Sequence, residues 1–208
     1  MNEQALFVEA NTMLTQVVNE VQPDQLDLVI PDELSWRPGV TLRSTLNLAT
    51  YENKCVPEVL AGADDLASND QFDGDLLGDD PAAYNRYADI ANQAATELDT
   101  PDRIVHMSYA DASASDYLRD ISINRSLAAF DIATFIGARI EMSDDLAQGL
   151  WDAAEPMTDL LREIGVFRPE IEFAGDAPIQ ARLLGLTGRR PSSWLLTHSA
   201  VKTRPAMQ

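Results

Sequence analysis

The sequence predicts an all-α protein whose main body is a four-helix bundle with irregular crossings and a short C-terminal helix. Four long segments repeat apolar residues at helical spacing, and each carries one stripe that has to be covered. The segments between them are rich in Pro, Asp and Gly, which interrupt regular structure. At 208 residues and 45% hydrophobic, the chain is long enough to bury one sizeable core. Helices with a single apolar stripe bury it against one another, and a bundle follows.

Leu6, Ala10, Met13, Leu14, Val17 and Val21 place the first helix over about Glu3 to Val21, closed by Pro23. Asp24 to Gly39, with Pro31 and Pro38, reads as an irregular crossing that includes a short extended piece at Leu28 to Ile30. Thr41 caps a second helix with the stripe Leu42, Leu46 and Ala49. Pro57 is expected to kink it, because proline lacks the amide that would bond back to Asn53. Asp64 to Asp80 reads as a solvated acidic loop without the spacing or terminal Glu of a calcium-binding EF-hand.

Asp80-Pro81 is the expected cap and first turn of a third helix, whose stripe is Tyr84, Tyr87, Ala88, Ala91, Ala94, Ala95 and Leu98. Its small residues admit a close neighbour. Arg103 to Tyr109 is β-prone but too brief to build a sheet alone, and Ser113 or Ser115 caps a fourth helix over about Ser115 to Phe135. Gly137 stops that helix, and Asn124 and Ala128 are expected one turn apart on its inward face. Ser143-Asp144-Asp145 caps a fifth helix that Pro156 bends or breaks. A last short helix is expected over Ala177 to Leu186, capped by Asp176 and followed by Gly188. The organisation is therefore one domain over 1–191 and a basic tail over 192–208, which Trp194 is expected to pin.

Thirty-four acidic against 15 basic residues give a net charge of -19, which repels nucleic-acid phosphates and anionic lipid. Neither nucleic acid nor membrane is expected as a partner, and the charge reads first as solubility, second as attraction for a basic protein. No apolar run reaches the ~18 residues of a membrane span, and Met1-Asn2-Glu3-Gln4 lacks the basic start of a secretory signal, so a cytoplasmic location is expected. The single Cys55 reads as a buried small hydrophobe, with no CxxC spacing for redox work. His106 and His198 are the only histidines, and neither is nominated as a ligand.

Two stretches exceed generic helix patterning. Pro38-Gly39-Val40-Thr41-Leu42-Arg43 opens the second helix, and Asp176-Ala177-Pro178-Ile179-Gln180-Ala181-Arg182-Leu183-Leu184-Gly185-Leu186-Thr187-Gly188-Arg189-Arg190-Pro191 closes the domain. Both resemble actinobacterial members of the DinB-like superfamily, especially the mycothiol-dependent maleylpyruvate isomerase group. Phe130-Asp131-Ile132-Ala133 is similar to that group's Trp-Asp-Leu-Ala motif. The resemblance implies an antiparallel four-helix bundle and a divalent metal, zinc or nickel, held by a His of the second helix and by a Glu and a His four apart on the fourth. It also implies that the metal activates a thiol such as mycothiol.

Carried over by position, those ligands fall on Leu48, Asn124 and Ala128. Leu and Ala have no donor atoms, and a neutral amide is a weak ligand for such a cation. No resident cofactor is therefore expected, and the metal site reads as degenerate. Tyr51, Glu52, Asp120, Asn124 and Asp131 remain as a candidate pocket around the vacated centre. Their other reading is helix-to-helix pairing, with Arg43 or Arg125 facing one of the carboxylates. A displaced oxygen-rich metal site from Glu52, Asp120 and Asp131 is a further alternative.

No catalytic residue is assigned. Three functions compete: a metal-free bundle binding a small molecule or a protein partner; a metal- and mycothiol-dependent isomerase or transferase; and an acidic protein-interaction module docking through the Asp-rich loop. Family resemblance alone makes a homodimer the expected assembly.

Overall fold

A computed structural model describes residues 1–35, 37–63, 74–107 and 111–191. The chain divides into two compact units, Met1–Glu141 and Met142–Gln208, so the span 1–191 expected as one domain holds all of the first and most of the second.

Helix α1 (Glu3–Val18) begins where the Asn2 side chain accepts the Ala5 amide, and it ends three residues earlier than its stripe suggested. The following crossing carries two short 3-10 turns and the expected extended piece: Val29 bridges Thr41, and the Ile30 amide donates to the Val40 carbonyl at 2.9 Å. Thr41 and Ser44 form a reciprocal capping box at the start of α2 (Leu42–Leu60), which runs through Pro57 without a break. Helix α3 (Ala83–Thr96) opens two residues beyond Pro81, although the Asp80 carboxylate still accepts the Ala82 amide at 2.9 Å.

A two-stranded antiparallel sheet departs from the all-α expectation. Strand β1 (Ile104–His106) pairs with β2 (Asp111–Ser113), register Val105 opposite Ala112. The partner that the β-prone stretch lacked in sequence is a three-residue run directly before the next helix. Ser113 caps that helix, α4 (Ala114–Ile136), through the Asp116 amide, and Gly137 ends it at φ 73°.

Within this first unit α1 packs against α4 and α3, and α3 packs against α2. Buried Ala88, Ala91 and Ala95 form the close-packed seam of α3. One cluster of the core gathers Phe7, Val56, Leu60, Ala91, Val105, Tyr117 and Leu118 from four helices and the sheet. Helix ends there are satisfied from neighbours: Gln4 donates to the carbonyls of Ala95 and Leu98, and Arg103 donates to that of Leu60.

In the second unit Ser143 caps α5 (Asp144–Ala154), and Pro156 breaks it as expected. A 3-10 turn at Glu155–Met157 separates it from α6 (Thr158–Glu163). Helix α7 (Ile179–Leu186) packs on α5, with the Arg182 guanidinium 4.7 Å from the centre of the Trp151 ring. Asp176 is not its cap. Pro178 disfavours helical backbone at Ala177, so the helix starts beyond the proline. Its other end is a Schellman closure: the Gly188 amide donates to Gly185 and the Arg189 amide to Leu184, with Gly188 at φ 74°. Trp194, His198 and the tail lie outside the described residues, as do positions 64–73 of the acidic loop.

Candidate functional site

Three of the apolar stripes contain polar residues, and the fold brings these together inside the first unit. Asn11 of α1, Asn53 of α2 and Arg125 of α4 occupy inward positions and are buried, and Tyr84 of α3 is wholly enclosed. Arg125 Nη1 donates to Glu52 Oε2, while Nη2 makes a long 3.4 Å bond to Asn53 Oδ1. Tyr84 donates its hydroxyl to Asn11 Oδ1 at 3.0 Å, and Asn11 Nδ2 reaches the Ala88 carbonyl at 3.3 Å and Asn92 Oδ1 at 3.0 Å. All four helices of the unit therefore contribute to one buried polar layer.

Its electrostatics follow from enclosure. Burial pushes the Tyr84 phenol up to about 12, with Arg125 and Asn53 opposing and Glu52 reinforcing the shift. For Arg125, burial works against the charged form, but Glu52 first, then Tyr84 and Tyr117, outweigh it and raise its pKa. The guanidinium is thus a fixed cation, 4% exposed, whose carboxylate partner is 35% exposed. Among the described residues no hydrogen bond of ordinary length and angle reaches Arg125 Nε or Asn53 Nδ2.

The three positions of the implied metal site fare differently from expectation. Asn124 is exposed, and Leu48 and Ala128 are only half-buried. The inward seam of α4 runs through Leu118, Ser122, Arg125, Ala129 and Ile132, and Asn124 stands about 100° round the helix from Arg125. Placing Asn124 on the inward face was therefore incorrect. The donor chemistry at 48, 124 and 128 does not fit a divalent metal. Among the described residues no group of three or more His, Cys, Asp or Glu side chains stands close enough to hold one, so Glu52, Asp120 and Asp131 do not gather into the alternative oxygen-rich set. No protein-family model matches this chain, and no curated protein or solved structure is significantly similar to it. The likeness to DinB-like proteins rests on the quoted motifs.

Of the five candidate pocket residues, Glu52 joins the buried layer through Arg125. Tyr51 is half-buried on α2 and Asp131 is buried on α4. Asp120 lies beside Arg119 at 3.7 Å, with one buried oxygen that no donor reaches. Burial raises its pKa, Arg119 opposes the shift and Asp116 adds to it. The expected pairing of Arg125 with one of these carboxylates holds, the partner being Glu52, but Arg43 turns elsewhere. Its Nε binds Asp27 at 2.8 Å, and another nitrogen stands 3.3 Å from Asp79. Asn47, one turn further on, accepts the Leu76 and Leu77 amides. Arg43 and Asn47 thus clamp the end of the acidic loop onto α2, a structural role for the first motif.

The second motif is structural in the same sense. A Cβ at Gly185 would stand 2.3 Å from the Ile171 carbonyl oxygen, and one at Gly188 would stand 2.5 Å from Arg168 Cβ. Segment 168–173 lies across α7 at those glycines, held by bonds from the Ile171 amide to Gly185 and from the Arg168 amide to Thr187. His106 pairs with Asp111 across the strands at 2.9 Å, and Cys55 is buried, as expected. No helix among the described residues is long and apolar enough to cross a membrane.

Sequence reasoning named Glu52 and Arg125 and gave Tyr84 to the apolar stripe of the third helix, but it missed Asn11, Asn53 and Asn92. The signal was present: Asn11 falls between Phe7 and Leu14, and Asn53 between Ala49 and Val56, where a stripe calls for apolar residues.

Proposed function

We propose that this chain is a DinB-like bundle, of the mycothiol-dependent maleylpyruvate isomerase-like group, that works without the metal and binds a small molecule at the centre of its helical body. The two motifs support the kinship. One observation carries the functional reading: a buried guanidinium, rather than a ligand set, occupies the interior beside the positions where the family holds its cation. Arg125 follows Asn124 directly and precedes Ala128 by three residues, and Glu52 lies one turn beyond Leu48.

Arg125 also engages Glu52, the carboxylate nearest Leu48, so that side chain is already committed to a cation of the protein's own. The loss of donors and the gain of a resident cation act in the same direction. Without the metal, the family's means of lowering a thiol's pKa is lacking. What remains is a polar interior suited to recognising a ligand.

Metal analysis of the full chain, purified without chelator, tests this reading. Only trace zinc and nickel are expected. Stoichiometric metal, or robust turnover of candidate electrophiles with mycothiol and added metal, would overturn it.

A further inference from the structure

The guanidinium of Arg125 is buried with unused capacity. Of its five N–H groups, one serves Glu52, one makes the 3.4 Å bond to Asn53, and Nε serves nothing. Asn53 Nδ2 beside it is likewise enclosed, near Tyr84 but with no hydrogen bond of ordinary length and angle among the described residues. Protein interiors pair nearly all such atoms, so two in one place require an explanation.

Glu52 supplies part of it. Its carboxylate meets the guanidinium through one oxygen, whereas a carboxylate and a guanidinium are built to meet through two. With 35% of its side chain exposed against 4% for Arg125, Glu52 reaches solvent while the guanidinium does not. It can leave for water, and the guanidinium cannot.

We propose that Arg125 is the receptor for the carboxylate of a small organic acid, and that Glu52 is its exchangeable resident. The incoming carboxylate takes the place of Glu52 on Nη1 and reaches a second guanidinium nitrogen, while Glu52 turns into solvent. The exchange replaces one negative charge by one, so no net charge is buried. A phosphate dianion would bring more charge than a single guanidinium neutralises. Leu48, one turn before Glu52 on α2, and Ala128, one turn after Arg125 on α4, are both half-buried, which favours an acid with a short apolar body. This inference rests on the metal-free reading above and names the ligand class for the same site.

The test is a titration of the isotope-labelled full chain with sodium acetate and sodium butyrate, against sodium chloride at equal ionic strength. The reporter is the Arg125 Nε–H resonance, assigned by its disappearance in Arg125→Lys. A saturable shift with the carboxylates and none with chloride is expected, with butyrate the tighter. Glu52→Ala and Glu52→Gln remove the internal competitor, and each is expected to tighten binding about tenfold or more. If one variant does not fold the other serves, and the wild-type titration decides alone if neither does.

The absence of a carboxylate-specific shift in the wild type, or butyrate binding measured by calorimetry that is undiminished in Arg125→Lys, overturns the proposal. Zinc added to a parallel sample separates the two readings. Silence to both acid and zinc removes this inference alone, whereas saturable zinc binding removes the metal-free reading as well.

Discussion

Removing either partner of the Arg125–Glu52 pair should have unequal consequences, and the inequality can be worked from exposure. Glu52→Ala leaves a cation that is 4% exposed with no counter-charge. Stranding a fully buried charge costs about 3–5 kcal/mol. The lower end applies here, about 3 kcal/mol, because water can follow the departed carboxylate into a position already one-third open. Arg125→Met removes the buried cation and returns Glu52 to solvent. It forfeits the 3.4 Å contact to Asn53, so the cost is about 1 kcal/mol or less. The double variant should resemble Arg125→Met rather than the sum of the single changes, a coupling of about 2 kcal/mol or more. Urea unfolding of all four proteins, followed by helical circular dichroism, measures it. If Arg125→Met were as destabilising as Glu52→Ala, the guanidinium would be the stabilising member and the exposure argument would fail.

Three further outcomes follow from other parts of the structure. Gly185→Ala drives a Cβ to 2.3 Å from the Ile171 carbonyl, and about 2–3 kcal/mol of local stability should be lost, read as faster amide exchange in α7. Tyr84 binds its proton more tightly folded than unfolded, so stability should fall from about pH 10 to its folded value of about 12, by about 1.4 kcal/mol per pH unit from this group. Tyr84→Phe should remove that slope, and an unchanged alkaline profile would count against the enclosure of the phenol. Asp120 also has a raised pKa, so its contribution is present below the unfolded carboxylate value and is lost as pH rises through the folded one. Asp120→Asn should therefore stabilise the protein at neutral pH and lose that advantage in acid, as melting curves at both pH values would show.

Periodicity carried most of the helical body, since stripes of buried apolar side chains repeat wherever a helix faces a core. Ser113, Ser143 and Thr41 marked helix starts because their hydroxyls accept amides that nothing else in the helix satisfies. The sheet was only half legible, because a three-residue strand is too short for alternation to register. Asp176 misled because its cap chemistry was read without the restriction that Pro178 puts on Ala177. At the site, carboxylates drew attention as chemistry-bearing groups. The organising residue is instead a cation, and the amides around it become visible only when two helices place them face to face. Asn124 shows the limit of a helical wheel: a seam that drifts by one position turns an inward residue outward.

The interior is held by the protein's own cation, and among the described residues no ligand set for a metal stands there. Crystals of the full chain grown with excess zinc, measured at the zinc absorption edge, test it most directly. The account predicts density joining Arg125 to Glu52 and no anomalous peak among α1 to α4. A peak coordinated by side chains of α2 and α4, with Arg125 turned away, would contradict it.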